Sequence, residues 1–180
     1  MARLQDRYQS EIISQLKEEL GLSNPLAVPR VSRVVVNMGV NGSIQDRKKL
    51  EEATKHLGTI TGQKPKVTRA KRSIANFKLR EGMEIGCCVT MRRARMYEFI
   101  DRLVTIALPR VRDFRGLNPK AFDGAGNFSM GLTELLVFPE INPDKVKDNQ
   151  GMNIAVVTTA NDNASGLALL KALGFPFKKD

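Results

Sequence analysis

The sequence predicts an α+β fold: two layers, a largely antiparallel sheet with helices packed on one face, and a long basic hairpin loop. Three observations predict it. Strand-like runs are interspersed with helical stripes, which favours helices segregated to one face of a sheet. Two of the strand-like runs flank one loop of about a dozen residues, a length uncommon in compact domains unless the loop is functional. The chain has 180 residues, enough for a single domain (1–180) with its own core. Such a fold leaves one sheet face free to bind something.

The elements follow in order. Leu4, Tyr8, Ile12, Leu16 and Leu20 recur at helical spacing and Gly21 is a C-terminal stop, so residues 3–20 read as an amphipathic helix. A connector with two prolines (Ser23–Pro29) leads to a β-branched strand, Val31–Gly39. Asn41–Ser43 is a turn and cap. Leu50, Ala53, Leu57 and Ile60 mark a second helix, with His56 at the border of its stripe. Gly62–Pro65 breaks it, and Lys66–Ala70 is a short extended piece. Residues 71–82 show no period, and Met83–Arg92 is a clear strand. Met96, Phe99, Ile100, Leu103 and Ala107 form the cleanest helical stripe, stopped at Pro109. Residues 110–116 alternate polar and apolar, and residues 116–131 read as an ordered loop. Leu132–Phe138 and Met152–Thr159 are further strands, and a final helix capped by Asn161 or Asp162 ends at Gly174.

Charge is the main lead. The chain carries 29 Lys+Arg against 19 Asp+Glu, a formal charge of +10. The first third has a net charge of +2, the middle third +10 and the last third −2. Lys64, Lys66, Arg69, Lys71, Arg72, Lys78 and Arg80 follow one another with no intervening acid. A solvated helix face interleaves signs, whereas a run of one sign repels itself and a polyanion relieves that repulsion.

Other chemistry finds no support. One His and two adjacent Cys (Cys87, Cys88) cannot assemble a metal site, and neighbouring strand residues point to opposite faces, so these two do not form a structural disulfide. The cysteine usage fits a reducing cytosol. No apolar run reaches the roughly 18 residues of a membrane span, and the polar start lacks a signal-peptide core. There is no P-loop. Gly124-Ala-Gly126 followed by Gly131 misses the dinucleotide-binding spacing and reads as turn glycine. An RNA-directed enzyme would need an acid–base pair beside the basic run, where only Glu81 and Glu84 are near. No catalytic residue, cofactor or metal is expected. The same basic run would also serve a free-standing RNA-binding regulator.

Several segments occur together in one order: Val36–Val40, Thr61–Pro65, Ile85–Thr90, Pro109–Leu117, Phe122–Gly131, Phe138–Ile141 and Gly174–Phe177. In these the chain resembles, over essentially its whole length, the bacterial ribosomal protein five family of the large subunit. Where that family often has a second basic residue, position 88 is Cys. The resemblance implies a non-catalytic structural protein of the cytoplasmic ribosome, a monomer there, that anchors 5S rRNA to the large-subunit (23S-type) rRNA in the central protuberance. Matched residue by residue, it implies 5S rRNA binding by Asn37, Met38, Gly39, Gln63, Lys64, Thr90 and Arg92. It implies that the loop Lys71–Gly82, through Lys71, Arg72, Ser73, Asn76, Phe77, Lys78 and Arg80, reaches P-site tRNA. In that loop Phe77 either stacks on a base or tucks back onto the protein. It further implies a bridge to a small-subunit head protein, for which Arg110, Arg112, Asp113 and Arg115, with the stretch Pro139–Lys147, are the candidates.

Overall fold

The computed structural model describes residues 2–40, 47–143, 146 and 150–178. The N-terminal helix runs as α1 (Arg3–Arg7), a π turn (Tyr8–Ile12) and α2 (Ile13–Glu19), with Leu4, Tyr8, Ile12 and Leu16 buried. Gly21, at φ 62°, ends it: the Gly21 N–H donates to the Glu18 carbonyl and the Leu22 N–H to that of Lys17, a Schellman closure. Gly174 (φ 92°) closes the final helix, α5 (Asn163–Ala172), in the same way, with Phe175 donating to Leu170. Asp162 is the cap of α5, its carboxylate accepting from the Ser165 N–H and hydroxyl. The turn read at Asn41–Ser43 lies outside the described residues.

Five strands form an open antiparallel sheet in the order β2-β3-β1-β5-β4: β1 Val31–Gly39, β2 Lys66–Arg69, β3 Glu84–Met91, β4 Phe128–Leu132 and β5 Met152–Thr158. The helices α3 (Arg47–Thr61) and α4 (Arg93–Arg102) coincide with the two predicted stripes. α4 continues through a π turn (Leu103–Ala107) into a 3-10 turn at Leu108–Arg110. The fold class is the one predicted.

One strand is displaced from its expected position. The run read as strand Leu132–Phe138 is instead a 3-10 turn over Leu135–Val137, and the strand lies earlier, at Phe128–Leu132, inside what read as a loop. The cause is tertiary. Phe128 is buried, with its ring 5.1 Å from Phe122, 5.5 Å from Phe177 and 6.5 Å from Phe175. That cluster holds a glycine-containing segment extended against its propensity. The segment 110–116 forms no strand.

The chain divides into two compact units. The first comprises Met1–Val34, Met91–Met130 and Ala155–Asp180; the second comprises Val35–Thr90 and Gly131–Ile154. In the first, Arg3 bonds Asp101 at 2.8 Å, the Tyr8 hydroxyl donates to the Pro29 carbonyl, and Leu117 and Phe177 form a parallel bridge. The turn glycines of the motif that missed a nucleotide-binding spacing sit here too. Gly124 and Gly126 both donate to the Asn163 side chain, and the Asp123 carboxylate accepts from Asn127 and Ala125, which holds its pKa below the usual range. In the second unit, Leu50, Ala53, Leu57 and Ile60 of α3 are buried, and Thr54, whose hydroxyl donates to the Leu50 carbonyl, lies beside the Cys87 thiol of β3. α3 therefore covers the Cys87 side of β3.

The boundaries between the units fall within β1, β3, β4 and β5. A chain cut only inside strands has no linker at which to melt in parts. We expect one cooperative thermal transition, with calorimetric and van't Hoff enthalpies equal; two resolved transitions would replace the one-domain reading by two.

Candidate RNA interface

The candidate interface is built by strand alternation in the second unit. Along β3, Cys87 and Val89 are buried while Cys88 and Thr90 are half-buried; along β1, Val36 and Met38 are buried while Asn37 is half-buried and Gly39 exposed. Successive side chains point to opposite faces. The face turned away from α3 therefore carries Asn37, Gly39, Cys88 and Thr90. Strand β2 adds to it through its register, Lys66 opposite Cys88 and Thr68 opposite Gly86.

Gln63 joins this group from the turn after α3, where its side-chain amide donates to the Thr90 carbonyl at 3.4 Å. Lys64 beside it is exposed. The structure thus brings Asn37, Gly39, Gln63, Lys64 and Thr90 into one unit, with Thr90 and Gln63 in contact. Met38 is different. It is 0% exposed, so its side chain belongs to the core beneath the face and only its backbone is available to a ligand. Arg92 is exposed and belongs to the first unit, as the cap of α4.

Gly86 keeps the face flat. A Cβ there would lie 2.4 Å from the Met38 carbonyl oxygen, closer than a real Cβ is accommodated, and a tight 3.2 Å from the Thr68 hydroxyl. Thr68, Lys66 and Cys88 were not singled out as face residues from sequence; the signal was period-two alternation, which is usable only once the β2–β3 register is known.

The basic run lies beside this face. Lys64, Lys66, Arg69, Lys71, Arg72, Lys78 and Arg80 are all exposed. Arg69 is engaged with Glu84 at 3.1 Å, a carboxylate that Arg47 also approaches at 3.9 Å. Glu84 is therefore an ion-pair partner and not half of an acid–base pair. The loop 71–82, aperiodic in sequence, closes on itself. Its neck is made by Ala70 donating to Met83 and Gly82 donating to Ala70. Ile74 and Leu79 exchange two backbone bonds, the Glu81 N–H donates to the Ser73 hydroxyl, and Ala75–Phe77 form a 3-10 turn ended by Lys78 at φ 51°. Ser73 and Asn76 are exposed. Phe77 is 71% exposed, so its ring is not tucked back onto the protein.

Among the bridge candidates, Arg110, Arg112, Asp113 and Arg115 are exposed in the turn after the α4 helix, in the first unit, and Asp113 holds φ 53°. Of the stretch 139–147, residues 144, 145 and 147 lie outside the described residues. Among the described residues, no group of three His, Cys, Asp or Glu can hold a metal ion, and no helix is long and apolar enough to cross a membrane. Both cysteines are free, and burial pushes the Cys87 thiol pKa up, which keeps it protonated and inert. A face of amides, hydroxyls, glycines and cations can donate and accept hydrogen bonds and hold anions.

Comparison with known proteins points the same way. Residues 24–80 match the family model described as Ribosomal protein L5, and residues 84–177 match the model of the same family's C-terminus. The Large ribosomal subunit protein uL5 of Anaeromyxobacter sp. (strain Fw109-5) is 56% identical over 178 residues, covering 99% of both chains. Its counterparts in Psychrobacter arcticus and Trichlorobacter lovleyi are each 54% identical over 178 residues, covering 99% of this chain and 100% and 99% of theirs.

Gly86→Ala tests the flatness of the face. The added methyl must displace the β1 backbone, so chemical denaturation should show a loss of about 1–3 kcal/mol, the usual cost of overpacking. A neutral effect would mean that β1 and β3 do not approach so closely.

Proposed function

The chain belongs to the ribosomal protein L5 family, and on that premise we propose that it grips 5S rRNA with the open sheet face and tethers it to the large-subunit rRNA in the central protuberance. The coarser statement is plain: this is a structural, non-enzymatic protein of the large subunit of the bacterial ribosome, at work in the cytoplasm with rRNA as its partner. What carries the finer reading is the polar, glycine-flattened face described above. Asn37, Gln63 and the Thr90 hydroxyl offer donors and acceptors suited to base edges and 2′-hydroxyls, while Lys64 and Arg92 suit phosphates. Met38 and Gly39 contribute backbone and close approach.

The loop 71–82 is the proposed contact with P-site tRNA. Lys71, Arg72, Lys78 and Arg80 meet backbone phosphates, and the exposed Phe77 is free to stack. Ser73 and Asn76 supply hydrogen bonds. Every tRNA passes through the P site, so a backbone clamp serves where base readout would discriminate. The exposed turn of Arg110, Arg112, Asp113 and Arg115 is the proposed bridge to a small-subunit head protein.

Asn37→Ala and Gln63→Ala should each weaken 5S rRNA binding by about 1–3 kcal/mol in filter-binding assays, the scale of a polar contact whose partner is left unpaired. Both positions are half-buried at most, so the fold should survive. With four to six phosphates neutralised, the log–log salt slope should be about −3 to −5. Normal binding by both variants, or a slope near zero, would move the 5S site elsewhere.

Deleting Ser73–Phe77 removes the loop tip but spares the Ala70–Met83 and Gly82–Ala70 neck. Ribosomes carrying it should retain 5S rRNA and hold all P-site tRNAs less well. Loss of only particular tRNAs would mean that the loop reads sequence. Charge reversal at Arg112 and Arg115 should weaken subunit joining alone; the exposed Arg112–Asp113 pair contributes little to stability. Release of 5S rRNA by that variant would end the bridge assignment.

A further inference from the structure

In the first unit a groove of about 570 Å³ opens beside the N-terminal helix, where the start of β1 meets the start of α4. Three cations line it, Arg30, Arg92 and Arg93, and no acidic residue does. All three are exposed, and none has an ion-pair partner among the described residues. Of the acids on the flanking helices, Asp101 is held by Arg3 and Glu11 lies beside Arg7. Arg93 also holds φ 55°, in the left-handed region that few side chains adopt. Such a conformation persists only where the surroundings impose it, and it is concentrated at binding sites.

The floor is aromatic. The Tyr8 and Tyr97 rings lie 6.1 Å apart, and the Tyr8 hydroxyl is fixed to the Pro29 carbonyl. Burial pushes the Tyr8 phenol up to about 12, and the positive charge of Arg30 acts in the opposite sense on both tyrosines. Gln5, Gln9 and Ser32 on the walls both donate and accept.

We propose that this groove binds an unpaired strand of large-subunit rRNA, with its phosphodiesters on Arg30, Arg92 and Arg93. Planar guanidiniums match phosphate oxygens bidentately, and the glutamine carbonyls need donors, which 2′-hydroxyls supply and an acidic peptide's side chains do not. The inference rests on the reading of the chain as a tether between two RNAs. If the sheet face of the second unit takes 5S rRNA, the other RNA needs a surface of its own. Arg92, two residues beyond Thr90, is the one residue assigned to both.

The chain has two tyrosines and no tryptophan, and both tyrosines line the groove. Fluorine spectra of full-length protein labelled with fluorotyrosine therefore report on this groove alone. A short oligouridylate, titrated into free and 5S-loaded protein, should shift both signals saturably. Arg30→Gln and Arg93→Gly should each weaken that binding about three- to tenfold and reduce its salt slope by about one. Both should leave 5S rRNA affinity unchanged. Arg93→Gly should not lower the melting temperature, because glycine adopts that φ freely. Absence of a shift, or an equal response to polyglutamate, overturns the proposal. So does a loss of 5S affinity in the groove variants, which would make the groove part of the 5S surface. The 5S reading fails separately, through normal 5S binding by the Asn37 and Gln63 variants, and the titration of free protein then still judges the groove.

Discussion

At Gly86 the backbones of β1 and β3 come so close that a single methyl would strike the Met38 carbonyl. That approach sets which residues of β1 lie beside which residues of β3, and strand alternation then assigns every side chain on both to a face. Val36, Met38, Cys87 and Val89 are committed to the core together, and Asn37, Gly39, Cys88 and Thr90 are released together. A slip of β1 by one residue against β3 would bury Asn37 and expose Met38, at the cost of an unpaired amide inside and apolar area outside. The polar face and the core are thus two sides of one register.

Much of this was legible in the sequence, for identifiable reasons. Helical stripes such as Met96–Ala107 and the β-branched run Val31–Gly39 are long and strongly periodic, and they fold where the periodicity puts them. Gly21 and Gly174 end helices because only a left-handed residue completes the Schellman bonds there. The misplaced strand fails for the complementary reason. Phe128–Leu132 has a glycine and no period, and it is extended only because Phe128 is held in a cluster with Phe122, Phe175 and Phe177, the last two about fifty residues away in sequence. The π turns at Tyr8–Ile12 and Leu103–Ala107 leave no mark in composition.

The candidate binding residues divide similarly. The charge run was visible by counting, but counting treats Arg69 as a free cation, whereas it is held by Glu84. Met38 sits in the same short segment as Asn37 and Gly39, and a segment-level match cannot separate a core side chain from a surface one. Alternation can, once burial fixes which parity faces inward. The structure therefore sharpens a three-residue assignment into one side chain, one exposed glycine and one backbone unit.

The division of labour has an electrostatic logic. Cations left without carboxylate partners raise the free energy of the isolated protein, because their repulsion is uncompensated, and this cost falls when RNA supplies the opposite charge. Acids are not scarce in this chain, and several hold cations: Glu84 holds Arg69, Asp101 holds Arg3 and Glu11 lies beside Arg7. Among the described residues, no ion pair neutralises the cations of the loop 71–82 or the arginines of the groove. A surface evolved only for solubility would interleave its charges. Groups of cations left unneutralised, such as those of the loop and the groove, are ones whose repulsion a polyanion would relieve.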